Sequence, residues 1–169
     1  MVAVSASGRT PYTLAATRAA AEAGALTVGL TCVRASELGG LVEHELAVVV
    51  GPEVIAGSTR LKAGTAQKLV LNTISTLVMV RLGKTFGNLM VDVEASNEKL
   101  RARARRAVGA ATGASDDEVL AAIDAAGGKV KVAIVSLAAH VDAQTARARL
   151  EAANGDVRRA LQEPADVVG

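Results

Sequence analysis

Three hydroxyl side chains and one glycine stand close together near the start of the sequence, in the segment Ser-Ala-Ser-Gly-Arg-Thr-Pro at positions 5–11. The apolar run at 2–4 predicts a strand before this segment, and the alanine-rich stretch at 12–23 predicts a helix after it. Pro11 suits the first position of that helix, and Thr10 suits its N-cap. The segment therefore joins the end of a strand to the start of a helix.

A helix start of this kind can bind an anion. It offers unpaired N–H groups and the positive end of the helix dipole, to which the hydroxyls of Ser5, Ser7 and Thr10 add further donors. Gly8 allows the backbone to approach a phosphate closely. We predict that Ser5, Ser7, Gly8 and Thr10 bind a small phosphorylated ligand. The alternative is an ordinary serine-rich turn between a strand and a helix.

A second group of polar side chains lies between Glu53 and Lys68, after another apolar strand. It combines a carboxylate, two hydroxyls and several cations at the point where open α/β sheets bind ligands. Cations at a helix start oppose the helix dipole, and a bound anion would offset that repulsion. We predict Glu53, Ser58, Thr59 and Lys62 as further substrate-binding residues. Alternatively, Ser58 or Thr59 is a helix cap and the cations form a solvated first turn.

The elements that must position these two segments predict an α/β fold. Apolar strands at 2–4, 26–31 and 46–50 are separated by a helix and a connection, a pattern that favours a parallel sheet with right-handed crossovers. The stretch 58–83 predicts a long helix with apolar residues on nearly every side. Such a helix is buried on several sides or lies in a subunit interface.

The last part of the chain predicts short helices joined by tight turns. Ser96 can cap one helix, and Ser115 and Glu118 have the spacing of a capping box. Asp142 and Asp156 can cap two later helices. Short helices with tight turns are typical of a small bundle. We therefore predict a partial sheet domain at 1–112, a small helical bundle at 113–163 and a frayed tail at 164–169.

Composition excludes several classes of protein. The 169 residues carry 19 Lys and Arg against 17 Asp and Glu, and a net charge of +2 is too small to imply a polyanionic partner by itself. The single Cys32 can form neither an intramolecular disulfide nor a metal knuckle, and it is interpreted as a small buried residue. The arginines between Arg101 and Arg106 fan around a helix, which favours a solvated face. We expect a cytoplasmic protein with no metal, no cofactor, no nucleic acid partner and no membrane span.

Three segments resemble a known family. The segment at 5–12 resembles the second phosphosugar motif of the sugar isomerase (SIS) fold. The run from Gly51 to Asn72, which includes Glu-Val-Ile-Ala-Gly-Ser-Thr-Arg-Leu-Lys, resembles the N-acetylmuramic acid 6-phosphate etherases, as does Gly-Asn-Leu-Met-Val-Asp-Val at 87–93. The resemblance extends from about Val4 to Val108. The helical bundle that follows also resembles the C-terminal tail of that family, but less specifically.

The resemblance implies a carbon–oxygen lyase of cell-wall sugar recycling. Such an enzyme cleaves the lactyl ether of N-acetylmuramic acid 6-phosphate to N-acetylglucosamine 6-phosphate and D-lactate, and a carboxylate removes the C2 proton. The catalytic residues are unknown in this chain, because the acid/base glutamates of the family are expected in a first lobe that would precede Met1. The resemblance therefore implies an N-terminally truncated SIS-type sheet, inactive alone and expected to form a homodimer. Related amidotransferases carry a basic glutamate at the position of Glu53. The alternative function is a sugar-phosphate-binding regulator without turnover.

Overall fold

The computed structural model describes residues 1–93 and 97–162. The chain divides into two compact units, Met1–Ser75 and Thr76–Gly169, and the division falls within one long helix. The expected division into 1–112, 113–163 and 164–169 stays a prediction, and its last region lies outside the described residues.

A parallel three-stranded sheet organises the first unit and confirms the predicted α/β class. Strand order is β1-β2-β3, and Val4 lies beside Leu30, which lies beside Leu46. The chain runs through β1 (Val2–Val4), α1 (Pro11–Glu22), β2 (Val28–Thr31), a short 3-10 turn (Gly39–Leu41) and β3 (His44–Ala47).

The third strand differs from its prediction, which was 46–50. Its ladder begins at His44, opposite Val28, and ends at Ala47, opposite Thr31. The N–H of Val48 still donates to the carbonyl oxygen of Thr31 at 2.9 Å, but β2 ends there. Pairing with β2, rather than the apolar run, sets the limits of β3.

The core of the first unit is small. Ala3, Leu14 and Leu38 are buried together, with Leu41 and Val42 packed against them. Leu38 belongs to neither a strand nor α1, so the loop after β2 supplies an essential part of this core. The position of that loop is therefore coupled to the position of the sheet.

Helix α2 (Lys62–Arg81) is 20 residues long and largely exposed. Of its residues, all of which the structure describes, Ala63 alone is buried. Leu69 is 54% exposed and Leu77 is 58% exposed. The prediction that this helix is buried on several sides within the chain is wrong, and the alternative of a subunit interface stays a prediction.

The second unit consists of a hairpin and a set of short helices. Strands β4 (Thr85–Phe86) and β5 (Leu89–Met90) are antiparallel. The helices were expected from the sequence, whereas the hairpin was not. The described helices are α3 (Glu98–Thr112), α4 (Asp116–Ala125), α5 (Val130–Ala138), α6 (Ala143–Ala152) and α7 (Val157–Leu161).

Helix α5 forms the centre of the second unit. Val130, Ala133 and Ile134 are buried, and α5 packs against α3, α4, α6 and α7. Helix α3 contributes small buried residues to the same core, while its arginines stay exposed, as predicted. The exposed arginines are Arg101, Arg103, Arg105 and Arg106.

Side-chain caps define most helix starts in this unit. Ser115 and Glu118 form the predicted capping box, and Asp142 and Asp156 accept hydrogen bonds from Thr145 and Arg159. Helix α3 is capped by Asn97, while Ser96 lies outside the described residues. None of the described helices has the length and apolar character needed to cross a membrane.

Candidate functional site

The loop after β1 is held by a network of hydroxyl groups. The N–H of Ser5 donates to the carbonyl oxygen of Leu30 at 3.0 Å, which continues the pairing of β1 with β2. The Oγ of Ser5 accepts from the N–H of Gly8 at 3.1 Å and lies 2.9 Å from the Oγ1 of Thr10. Ser5 is buried, so this hydroxyl organises the loop from within.

Helix α1 begins without a side-chain cap. Thr10 occupies the N-cap position as predicted, but its hydroxyl is directed to Ser5, and the first turn contains no acidic residue. Pro11 occupies the first helical position, where its missing N–H costs nothing. Ser7 is half-buried, and its Oγ makes no hydrogen bond among the described residues. The start of α1 can therefore donate N–H groups, and Ser7 its hydroxyl, to an anion.

Gly8 is required by a close contact with the loop after β2. Its φ is +65°, and a Cβ there would come within 2.4 Å of the Cβ of Ser36. The N–H of Leu38 also donates to the carbonyl oxygen of Gly8 at 3.0 Å. Ser36 was missed by sequence reasoning. The available signal was its position shortly after β2, which runs parallel to β1 and ends at the same edge of the sheet.

The loop after β3 closes onto the start of α2 through Glu53. The Oε2 of Glu53 accepts from the N–H of Lys62 at 2.9 Å, and its Oε1 accepts from the N–H of Ala63 at 3.0 Å. The hydrogen bond from Ala63, followed by the one from Lys62, lowers the pKa of Glu53 below its ordinary value. The alternative that Ser58 or Thr59 caps this helix is wrong, because α2 begins at Lys62 and both residues lie in preceding turns.

Cys32 lies beneath the first turn of α2. It is buried, and its thiol donates to the carbonyl oxygen of Ala63 at 3.9 Å. Burial, and secondarily the charge of Glu53, raises the pKa of Cys32, which keeps the thiol protonated. The interpretation of Cys32 as a small buried residue is confirmed.

The predicted site residues form two groups in the first unit. Ser5, Gly8 and Thr10 are joined directly, and Glu53 is joined to Lys62. Ser58 and Thr59 lie in the loop between Glu53 and α2, and no hydrogen bond among the described residues connects the two groups. Within the ranges 1–93 and 97–162, no three His, Cys, Asp or Glu residues are grouped so as to hold a metal ion.

Comparison with known proteins shows a long and close similarity. No protein-family model matches the chain. It is 66% identical over 163 residues to the N-acetylmuramic acid 6-phosphate etherase of Rubrobacter xylanophilus, a match that covers 96% of this chain and 54% of that protein. The etherase of Streptomyces coelicolor is 60% identical over 161 residues, covering 95% of this chain and 52% of that protein. The etherase of Deinococcus radiodurans is 54% identical over 163 residues, covering 96% and 53%. The chain thus spans about half the length of these relatives.

The contact between Gly8 and Ser36 predicts a large effect of adding one methyl group. Gly8→Ala and Gly24→Ala both place a side chain at positive φ, which costs roughly 1–2 kcal/mol. Only Gly8→Ala also drives a Cβ into Ser36, since nothing lies within 4 Å of the corresponding point at Gly24. We expect urea denaturation to show an additional loss of about 1–3 kcal/mol for Gly8→Ala, typical of overpacking. Equal losses in the two variants would contradict the close contact.

Proposed function

We propose that this chain, which belongs to the N-acetylmuramic acid 6-phosphate etherase family and matches the C-terminal part of its members, binds a sugar 6-phosphate. The observation that carries the proposal is the uncapped start of α1, preceded in the same loop by Ser7, whose hydroxyl makes no hydrogen bond within residues 1–93 and 97–162. The N–H groups and the dipole of that helix favour a doubly charged phosphate. Ser5, Gly8 and Thr10 hold the loop in the shape that receives it.

The proposed reaction is the one for which the relatives are named, cleavage of the ether of N-acetylmuramic acid 6-phosphate. The products are N-acetylglucosamine 6-phosphate and D-lactate. Proton removal beside a carbonyl needs a base whose pKa lies near the working pH. Glu53 has its pKa lowered by two N–H donors, so it is a poor base. We therefore assign the acid/base carboxylates to the half of the etherases that this chain does not match.

We propose that the remaining predicted residues contact the rest of the ligand. We assign Ser58 and Thr59 to the sugar, because they lie in the loop that leads into α2. Lys62 is exposed and adds positive charge at this end of the sheet. We further propose that this SIS-type sheet acts in the cytoplasm and that its reaction needs no metal or cofactor.

A second candidate function is a sugar-phosphate-binding regulator that does not turn over its ligand. The specific observation in its favour is that Glu53, the carboxylate among the predicted site residues, is occupied by the backbone of α2. A chain whose phosphate site is open, but whose site carboxylate is already hydrogen-bonded to the backbone, would bind a sugar phosphate without converting it. Lactate release in the presence of the other half of an etherase separates the two functions.

We also propose that two copies of the chain associate through α2. This helix exposes large apolar side chains along its length, which is unusual for the surface of a monomer. A homodimer would bury the same patch on both copies. The exposed residues are Leu69, Leu71, Leu77, Val78, Met79 and Val80.

Removing the hydroxyl of Ser7 tests the phosphate site. We expect Ser7→Ala to weaken binding of N-acetylglucosamine 6-phosphate by roughly ten- to a hundredfold, since a hydrogen bond to a charged group contributes roughly 1.5–3 kcal/mol. Isothermal titration calorimetry measures the change. Ser75→Ala removes an exposed hydroxyl from α2 and serves as the matched control. Equal affinity of Ser7→Ala and the control would count against the assignment.

Activity is expected only when the other half of an etherase is supplied. The chain alone should release no lactate from N-acetylmuramic acid 6-phosphate, because a positioned acid and base each contribute on the order of a hundredfold or more. Mixing or co-expressing it with the unmatched half of the Rubrobacter relative should restore lactate release. Sustained release by the chain alone, abolished by Glu53→Gln, would place the catalytic machinery in this chain instead.

Sedimentation equilibrium tests the α2 interface. The chain should sediment as a dimer at micromolar concentration, and Leu77→Asp should shift it to a monomer by placing a charge in the apolar contact. Lys68→Ala, on the same helix, should leave the mass of the dimer unchanged. A wild-type chain that is a monodisperse monomer at this concentration refutes the interface.

A further inference from the structure

We propose that Glu53 is a positioning residue whose carboxylate takes the place of a bound anion at the start of α2, closing that helix start to the ligand and fixing the loop 54–61. The inference rests on the proposed sugar-phosphate site and assigns a role within it. It makes Glu53 neither the base of the reaction nor a direct partner of the phosphate.

Both oxygens of the carboxylate are used. One accepts from Lys62 and the other from Ala63, at 2.9 and 3.0 Å. Each bond joins Glu53, in the connection that follows β3, to a residue of the first turn of α2, so the loop 54–61 is closed at its base. Ser58 and Thr59 lie in this loop, and their positions therefore depend on Glu53.

The charge of Glu53 also offsets unfavourable electrostatics at the start of α2. The first turn of α2 has no acidic residue and begins with Lys62, an arrangement that the helix dipole disfavours. A carboxylate brought from nine positions earlier offsets both the dipole and the lysine. A ligand anion is not needed to explain the cations at this helix start.

The two helix starts in the first unit consequently differ. The start of α2 is filled by Glu53, whereas the start of α1 has neither a side-chain cap nor an acidic residue in its first turn. A phosphate approaching α2 would meet a carboxylate that is already hydrogen-bonded to two N–H groups. The loop 54–61 is therefore left to contact the uncharged part of the ligand.

Cys32 contacts the first turn of α2 independently of Glu53. Ala63 is 2% exposed, and its carbonyl oxygen accepts from the thiol of Cys32, which follows β2. Removing the carboxylate of Glu53 should therefore free the N–H groups of Lys62 and Ala63 while the helix stays on the sheet.

Acidification is expected to release the cap. Because folding lowers the pKa of Glu53, its contribution to stability is fully present above its unfolded pKa of about 4.3. That contribution is lost as pH falls through the lower folded value. The amide signals of Lys62 and Ala63 should therefore shift below about pH 4.3 together, with a common midpoint below the ordinary pKa of glutamate.

The decisive test is an NMR titration of the full chain with inorganic phosphate. In the wild type, the amide signals of Ser7 and Gly8 should move and those of Lys62 and Ala63 should not. In Glu53→Ala, the amides of Lys62 and Ala63 should also respond, because a second anion site has been opened. Glu22→Ala removes an exposed carboxylate at the end of α1 and should behave as the wild type.

The outcomes separate this inference from the proposed function. A missing response at Ser7 and Gly8 in every protein would count against the phosphate site at α1 alone. The role of Glu53 is overturned if Lys62 and Ala63 respond in the wild type as strongly as in Glu53→Ala, or fail to respond in that variant. If Glu53→Ala does not fold, the isosteric Glu53→Gln, which keeps one acceptor oxygen, must show a partial response for the inference to stand.

Discussion

The backbone N–H groups at a helix start need acceptors, and this constraint governs the whole chain. Parallel strands bring the ends of β1, β2 and β3 to one edge of the sheet, so the helix that follows β1 begins there. Each helix start must then find an acceptor from its own residues, from a distant side chain or from a ligand. The different solutions found at α1 and α2 are what turn an ordinary sheet edge into a candidate binding site.

The glycine and hydroxyl groups of the site act mainly on one another. Gly8, which has no side chain, leaves room for Ser36. The hydroxyl of Ser5 is hydrogen-bonded to the N–H of Gly8 and to the hydroxyl of Thr10. Leu38 joins the loop after β2 to the small core. Ser5 and Gly8, which are buried, thus shape the loop, and under the proposed function Ser7 is the residue that meets the ligand. A short motif can therefore contain residues with separate tasks, although its sequence presents them as equivalent.

Local features of the sequence predicted local structure well. Ser115 with Glu118, and Asp142 and Asp156, cap the helices expected of them, because each cap lies within three residues of the N–H that it accepts. The start of α2 was predicted too early, since its acceptor is Glu53, nine positions before Lys62. No pattern of neighbouring residues reveals such a cap.

Contacts between loops and between molecules could not be predicted from local patterns. The approach of Ser36 to Gly8 depends on how two strands are placed side by side, and it appears only with the sheet assembled. The apolar character of α2 was visible in the sequence, but burial inside the chain and burial against a partner give the same pattern. The exposure of Leu69 and Leu77 rules out their burial within this chain, and burial against a partner stays a prediction.

The central claim is that the start of α1 receives the phosphate of a sugar ligand. A crystal structure of the chain with N-acetylglucosamine 6-phosphate tests it most directly. The account predicts the phosphate within hydrogen-bond distance of the Oγ of Ser7 and of the N–H groups at the start of α1, with the carboxylate of Glu53 still bound to Lys62 and Ala63. A phosphate seated at the start of α2, with Glu53 displaced, would contradict it.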